Sequence, residues 1–420
     1  MPRNSSFQGR EPLKDDPNLS LYHSHITGPL PFLNPTQARY QPTSPDPAST
    51  PPPRVERLWR SRDNRKGRHA LRVDHAAPET GVPGPTASVG GVGQGIWRMM
   101  TCAPYWDVSY LVAVIFTLGS VIWIINAFFV WLPLEDPGTE FDGEISAGGG
   151  ITGFIGATVF EVGSVLLLLE AVNEAQTGCF GWALETEVKR EDHGSRVITG
   201  VKPDVRHCRH HHVNRGNLVG GGRLVRRLSH DFTEGYVTAR DGRSFRWWPS
   251  AAELRGHYIH ELGFLASLVQ LIAATVFWIA GFTGLPGIAN HMSQGLTDGV
   301  YWVPQIVGGA GFIISGLLFT LETQKKWYLP AFHVLGWHIG IWNFIGGIGF
   351  TLCGALGPAA MHSGVEYQAT LATFWGSWAF MIGSTIQWYE SLQKFPVEKG
   401  RLMNPANEPG SKTETGDPCT

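Results

Sequence analysis

The sequence predicts an all-α, polytopic membrane protein with six transmembrane helices, arranged as three repeated two-helix hairpins behind a disordered N-terminal tail. Three observations support this prediction: long apolar segments, alternation of charge in the connections between them, and a motif that recurs in every second segment. Helices are expected because a chain that crosses lipid must satisfy its backbone hydrogen bonds within each segment.

The two ends of the chain are polar. Residues 1–98 are rich in Pro, Ser, Arg and Asp, and such a composition buries too little apolar surface to offset the entropy of ordering. We therefore predict disorder for 1–98, and likewise for 395–420. The basic stretch "RVERLWRSRDNRKGR" in the first tail could contact anionic lipid, or it could simply be solvated. The chain has neither the apolar start of a signal peptide nor the acid-poor start of a transit peptide.

Six apolar segments are each long enough to cross ~30 Å of hydrocarbon. They are residues 106–132, 150–172, 261–285, 300–322, 331–356 and 368–390. Paired in order, they predict membrane hairpins at 105–174, 257–327 and 328–394.

The basic residues predict the orientation of these segments. All 33 Lys and Arg lie in the N-terminal tail, in 173–255, at Lys325 and Lys326, or after residue 390. The alternate connections contain none, and basic residues are retained on the cytoplasmic side. Both termini and the long insertion are therefore predicted to be cytoplasmic. The sequence leaves open whether the membrane is the plasma membrane or an internal one.

The insertion at 175–256 is predicted to be partly folded. "YVTARDGRSFRWW" alternates around an Asp-Gly turn, which predicts a β-hairpin near 236–248. Ser250 and Glu253 have the spacing of a capping box, so a helix is expected to begin there and to continue along the interface into the third segment.

The even-numbered segments align without gaps. They read "GATVFEVGSVLLLLE" (156–170), "GGAGFIISGLLFTLE" (308–322) and "GSWAFMIGSTIQWYE" (376–390), with the shared pattern G-[AGS]-x-x-F-x-[IV]-[GS]-[SG]-x5-E. The odd-numbered segments carry small residues every seven positions, such as Gly340, Gly347 and Gly354. Small residues at this spacing predict a seam of close helix packing.

A hairpin whose second helix carries adjacent small residues and ends in Glu resembles the YrhK-like membrane domain. The arrangement is also similar to uncharacterised integral membrane proteins of filamentous fungi. The resemblance is confined to the hairpins, and it implies no particular chemistry or cofactor.

Three acids end the even-numbered segments, at Glu170, Glu322 and Glu390. They could be interfacial carboxylates that reach water or pair with a nearby base such as Lys325 or Lys394. Alternatively, they could form a ring around a pseudo-threefold axis, as the entrance for a cation or proton.

Glu161 differs from these acids because it occurs in one repeat only and lies near the middle of its segment. An ionisable residue at membrane depth is a functional hypothesis by default and is expected to face the bundle interior. With His338 it would make a plausible proton relay, although hydrogen bonding between helices is the commoner role. The polar residues that could meet Glu161 are Asn126, Gln270, His333, His338 and Asn343.

Other chemistry has little support. The tract "HCRHHH" (207–212) is typical of a weak metal-binding patch, so neither a metal site nor a cofactor is predicted. Cys102 and Cys179 flank apolar segments, where palmitoylation is conceivable. Motifs for phosphate loops, zinc proteases and serine hydrolases are missing, as is the charge signature of mitochondrial carriers, and the basic residues need no nucleic acid.

Three functions therefore stay open. The first is a non-enzymatic scaffold or sensor that acts through its cytoplasmic regions, with the lipid bilayer as its predicted partner and protein partners unknown. The second is a transporter of a small solute, proton or cation that uses Glu161. The third is an intramembrane enzyme. The substrate, the oligomeric state and the presence of a pore between the hairpins are not predicted.

Overall fold

The computed structural model describes residues 3–7, 11–13, 19–42, 55–73, 85–174, 176–181, 183–184, 200–201 and 245–400, which are mostly helical. The helices are α1 (Ser61–Arg65), α2 (Val89–Thr101), α3 (Val108–Glu135), α4 (Gly150–Val172), α5 (Ala251–Gly256), α6 (Leu262–Thr283), α7 (Pro286–Ala289), α8 (Gln294–Thr297), α9 (Val303–Glu322), α10 (Leu335–Leu356) and α11 (Ser363–Leu392). The strands are β1 (Leu19–Leu21), β2 (Gln37–Pro42), β3 (Val55–Arg60), β4 (Ala70–Val73), β5 (Gly200–Val201), β6 (Phe245–Arg246) and β7 (Val397–Lys399).

Each apolar segment of the sequence lies on one long helix: α3, α4, α6, α9, α10 and α11. By length and composition, five spans within the described chain qualify to cross a membrane: Val108–Glu135, Glu144–Val172, Leu262–Thr283, Gln294–Glu322 and Leu335–Ala359. The helix α11 is long but does not meet the same criterion. The prediction of a membrane protein is supported at this coarser level.

The six long helices form a closed ring in chain order. Each packs against the next, and α11 returns to pack against α3. The ring has two ends, and we call the end where α4, α9 and α11 finish the docking end.

Small residues allow close approach between α9 and α10. A Cβ at Gly347 would lie 2.7 Å from the backbone nitrogen of Ile313, and one at Gly340 would lie 2.6 Å from that of Thr320. These distances are shorter than real Cβ contacts, so only glycine fits at both positions. The seven-residue spacing of small residues therefore marks a helix seam.

Aromatic rings fill the middle of the bundle in two layers. Phe160, Phe312 and Phe380, which the motif equates, lie with ring centroids 5.5–6.4 Å apart. In the next layer the centroid of Trp123 lies 5.6 Å from that of Phe277 and 4.9 Å from that of Phe350, and the latter two are 5.5 Å apart. Tilted and edge-on rings at these distances pack favourably. Apolar packing therefore fills the central axis of the six-helix ring at this depth.

Segments from both ends of the chain form one sheet, in the order β1-β2-β3-β4-β7. The strands β1 to β4 pair antiparallel with one another in sequence order, and β7 pairs in parallel with β4. Their apolar side chains, including Tyr40, Trp59, Leu71 and Val397, form a small core. The prediction of disorder for 1–98 and 395–420 is thus wrong for the strand-forming parts. Their composition indicates disorder only if the charged side chains stay in water, but much of this charge is neutralised by acids distant in the sequence.

The start of the helix after the insertion is confirmed, but its predicted continuation is wrong. Ser250 and Glu253 form the reciprocal capping box at the start of α5. The helix then ends at Gly256, and a 3-10 turn at Tyr258–His260 separates it from α6. Most of the predicted hairpin near 236–248 and the whole tract 207–212 lie outside the described residues.

Candidate functional site

The helix α1 lies at the tip of a β-hairpin. Strands β3 and β4 pair from Val55 opposite Val73 to Leu58 opposite Ala70, and α1 forms within the connection between them. Gly67 adopts a left-handed conformation, with φ at 61°, just after the end of α1. Glycine is suited to this position because it carries no Cβ, and here it reverses the chain. Basic side chains before and after Gly67 can therefore face the same target.

That target is the set of acids at the docking end. Arg65 lies between two of them: its Nη1 donates to Glu170 Oε1 at 2.6 Å, and its Nη2 donates to Glu322 Oε2 at 2.9 Å. Ser61 donates to the other oxygen of Glu322 at 3.0 Å. Lys66 Nζ lies 3.6 Å from Glu170 Oε2. One turn of helix thus connects α4 to α9.

The third acid, Glu390, is held by two arginines. Arg62 donates through Nη2 to Glu390 Oε2 at 2.8 Å and through Nε to Oε1 at 3.3 Å. Arg68 Nη1 donates to Glu390 Oε1 at 2.9 Å and to Asp63 Oδ1 at 2.5 Å. We call this whole set the charge lock, and it consists of Arg62, Asp63, Arg65, Lys66, Arg68, Glu170, Glu322 and Glu390. Its four cations balance its four carboxylates.

The charge lock is shielded from solvent. Glu170, Glu322 and Glu390 are 0%, 2% and 1% exposed. Burial acts to lower the pKa of Arg62, but Glu390, with Glu322 and Glu170, raises it above its ordinary value. Burial lowers the pKa of Lys66 to about 8, and Glu170 offsets this only in part. A buried ion pair stabilises little by itself, whereas removing one partner is costly. The charge lock is therefore suited to fixing where α1 docks.

The sequence interpretations of the three acids need correction. They do not reach water, and Lys394, one of the bases expected nearby, instead lies 2.6 Å from Asp107. The acids do converge, but their cations belong to the same chain. In the basic stretch of the N-terminal segment, Arg62, Arg65 and Arg68 are buried against these acids, so those three arginines are not available to lipid.

The residues that the sequence interpretation missed are the bases of α1. A signal was available: three acids at the ends of apolar helices require bases. Lys325 and Lys326 are the bases closest to Glu322 in the sequence, whereas the arginines that pair with the three acids lie 105 to 328 residues away from them. Pairing across such separations is not encoded in local spacing.

A second charged cluster joins the N-terminal segment to the start of α6. Asn34 donates to Glu261 at 2.8 Å, and Asn64 donates to Glu174 at 2.9 Å. His257 lies 3.5 Å from Glu174 and 3.9 Å from Glu261. Burial raises the pKa of Glu261 to about 7, and Glu174 adds to this effect while His257 and Asn34 oppose it. Two acids and one histidine thus meet where the N-terminal segment contacts the long helices.

A small cavity lies on the membrane side of the charge lock. Its volume is about 30 Å³, which is room for about two waters at ~10–15 Å³ each. The polar side chains that line it are Arg62, Arg65, Lys66, Ser120, Gln270, Ser315, Asn343, Ser384 and Gln387. The apolar ones include Phe160 and Phe380 of the first aromatic layer. The cavity therefore lies between the charge lock and the packed core.

Glu161 and His338 contact different residues. Glu161 Oε1 accepts a hydrogen bond from Thr275 of α6 at 2.9 Å, and Thr275 is exposed on the outside of the bundle. Within the described chain Glu161 is not among the residues that line the cavity. The His338 ring lies 2.8 Å from the carbonyl oxygen of Phe332, and the residue is half-buried. Of the other polar candidates, Gln270 and Asn343 line the cavity, and Asn126 donates to the carbonyl oxygen of Gly149. The structure shows no Glu161–His338 contact within the described residues.

The cysteines and possible metal ligands can be placed only in part. Cys179 is buried in the cluster around Val108 and Phe245, so it is not accessible to palmitoylation as packed here, whereas Cys102 is exposed. Within the described ranges no group of three His, Cys, Asp or Glu side chains is arranged to hold a metal ion.

Comparison with known proteins gives no match. No family model matches the chain, and no curated protein or solved structure is significantly similar to it.

Proposed function

We propose that this protein is a non-enzymatic membrane scaffold or sensor, whose N-terminal β-hairpin is fixed to a bundle of six transmembrane helices by the charge lock. In this proposal the helices are three repeats of one hairpin, both termini are cytoplasmic, and the lipid bilayer is the main partner. The YrhK-like resemblance stays a prediction from the motif.

The observation that carries the proposal is the position of Arg65 between Glu170 and Glu322. A scaffold must hold its extramembrane part in a defined place, and a sensor needs a contact that can be made and broken. Directional charge-assisted hydrogen bonds meet both needs, because they are strong only in one geometry. The near-neutral pKa of Glu261, at a second contact of the same segment, offers one means of release.

The alternative of a transporter has one supporting observation, the polar cavity beneath α1. Three features weigh against it. The aromatic layers around Phe160 and Trp123 fill the axis beyond the cavity, and Glu161 bonds to a residue on the outer surface. The three glutamates of the charge lock are also already paired with arginine or lysine side chains of the same chain.

A flux assay distinguishes the two proposals. Wild-type protein and an Arg65→Gln variant are reconstituted in liposomes that contain a pH-sensitive dye, and proton and K⁺ gradients are imposed. A scaffold predicts that both proteins dissipate the gradients no faster than empty liposomes, even with the lock weakened. Flux through the variant alone would establish a gated transporter and overturn the scaffold proposal.

A matched pair of variants tests Glu161 itself. Any wild-type flux that disappears in Glu161→Gln, but persists in Glu140→Gln, would assign transport to Glu161. Glu140 is an exposed acid in the connection between α3 and α4, so it controls for loss of charge alone. Equal behaviour of both variants and the wild type is the expected result.

A further inference from the structure

The helix α2 has an apolar face that no described part of the protein covers. The large apolar side chains exposed on it are Val89, Val92, Ile96, Trp97 and Met100. At 100° per residue, Val89, Val92, Ile96 and Met100 fall within an arc of about 80°. Gln94 and Arg98 lie away from this arc. Residues 89–98 belong to the segment predicted to be disordered; α2 is short and rich in glycine, so its sequence gives little helical signal.

The position of α2 is fixed at two points. Thr86, just before the helix, donates its backbone N–H to the carbonyl oxygen of Val397 in β7 at 3.0 Å. Gly95 packs so closely against the ring of Tyr389 that a larger residue would clash. Tyr389 precedes Glu390 in α11, so α2 lies against the docking end of the bundle.

The same end is where the first long helix begins. The helix α2 ends at Thr101, and α3 begins at Val108. The outer surface of α3 carries exposed apolar side chains such as Leu118 and Ile125, as expected for a helix in contact with lipid. The apolar face of α2 is thus adjacent to the proposed lipid-facing surface.

We infer that α2 lies in the plane of the phospholipid leaflet at the docking end, with its apolar face among the acyl chains. Helices with one strongly apolar face and a polar face bind at this depth, and Trp is favoured at the boundary between lipid and water. The occupant of the face is lipid of any headgroup charge, because Arg98 is the only basic residue of α2. This inference rests on insertion of the long helices and not on the scaffold role.

The test places a fluorophore on α2 of the full chain in phosphatidylcholine nanodiscs. An environment-sensitive NBD group is attached at Ile96→Cys, which is 51% exposed, and the control carries it at Gln94→Cys on the other face. To confine the label to these positions, three native cysteines are replaced by Ser: Cys102, which is exposed, and Cys208 and Cys419, which lie outside the described residues.

Two quenchers then give the result. We expect the Ile96 label to emit at shorter wavelength, to be several-fold less quenched by aqueous iodide than the Gln94 label, and to be quenched by brominated lipid. Equal iodide quenching at the two positions would overturn the inference. Shielding from iodide without quenching by brominated lipid would also overturn it, because another part of the chain would then cover the face. A label at Met100→Cys must repeat the result, which guards against local disruption at Ile96.

Discussion

Replacing Arg65 by Gln should release α1 from the bundle. The guanidinium of Arg65 satisfies one oxygen of Glu170 and one of Glu322, and both carboxylates are buried. Removing one partner of a buried ion pair costs about 3–5 kcal/mol, because the remaining charge stays desolvated. Here two carboxylates lose a partner, although Lys66 and Ser61 retain contacts with them. We therefore expect a loss within that range.

The released state can be measured by native-state proteolysis. Trypsin cleaves after Lys66 only when α1 leaves the bundle, and the cleavage rate follows the open population when reclosing is fast. A loss of about 3–5 kcal/mol corresponds to a roughly 10²- to 4 × 10³-fold faster appearance of the fragment that begins at Gly67. The fragment is identified by mass, since trypsin also cuts elsewhere.

Two further variants make the measurement specific. Arg72→Gln removes a more exposed pair, 3.7 Å from Glu398, and should change the rate only a few-fold because such pairs contribute about 0–1 kcal/mol. Combining Arg65→Gln with Glu322→Gln should restore much of the docking, because Lys66 still pairs with Glu170 and the charge lock again holds equal numbers of cations and carboxylates. If Arg65→Gln cleaves no faster than Arg72→Gln, the charge lock does not hold α1.

Three other predictions concern Glu261, the helix seam at Gly347, and the burial of Cys179. Glu261→Gln should flatten the pH dependence of unfolding in detergent. The pKa of Glu261 is raised from 4.5 to about 7 in the folded protein, so its contribution to stability, up to roughly 3 kcal/mol, is complete below pH 4.5 and is lost as the pH rises through 7. An unchanged dependence of stability on pH in the variant would exclude Glu261 as its source. Gly347→Ala should lower the stability of the protein by about 1–3 kcal/mol, because the added Cβ overpacks the contact between α9 and α10. Gly364→Ala is the control, since a Cβ there meets open space. Equal midpoints of thermal unfolding for the two variants would contradict close packing at Gly347. Under native conditions maleimide should label Cys102 quickly and Cys179 only on unfolding, as mass spectrometry of peptides can show; equal rates would mean that the insertion does not pack as described.

The long helices could be predicted from the sequence, whereas the docking could not. A run of apolar residues as long as 150–172 admits few alternatives, and the observed α4 has those bounds. The partners of Glu170 and Glu390 lie 105 and 328 residues away, at Arg65 and Arg62. A high arginine content predicts disorder when each charge is expected to stay in water. Once a buried carboxylate neutralises each of them, that reason no longer applies.

The cavity supports the proposal that the acids serve docking and not conduction. Its polar walls include Gln270, Asn343 and Gln387, which lie next to the charge lock. An ion that entered here would meet the packed rings of the two aromatic layers, which offer no polar group to replace its hydration. Waters in the cavity would instead solvate the inner side of the lock, which lowers the cost of burying four cations and makes a reversible contact physically feasible.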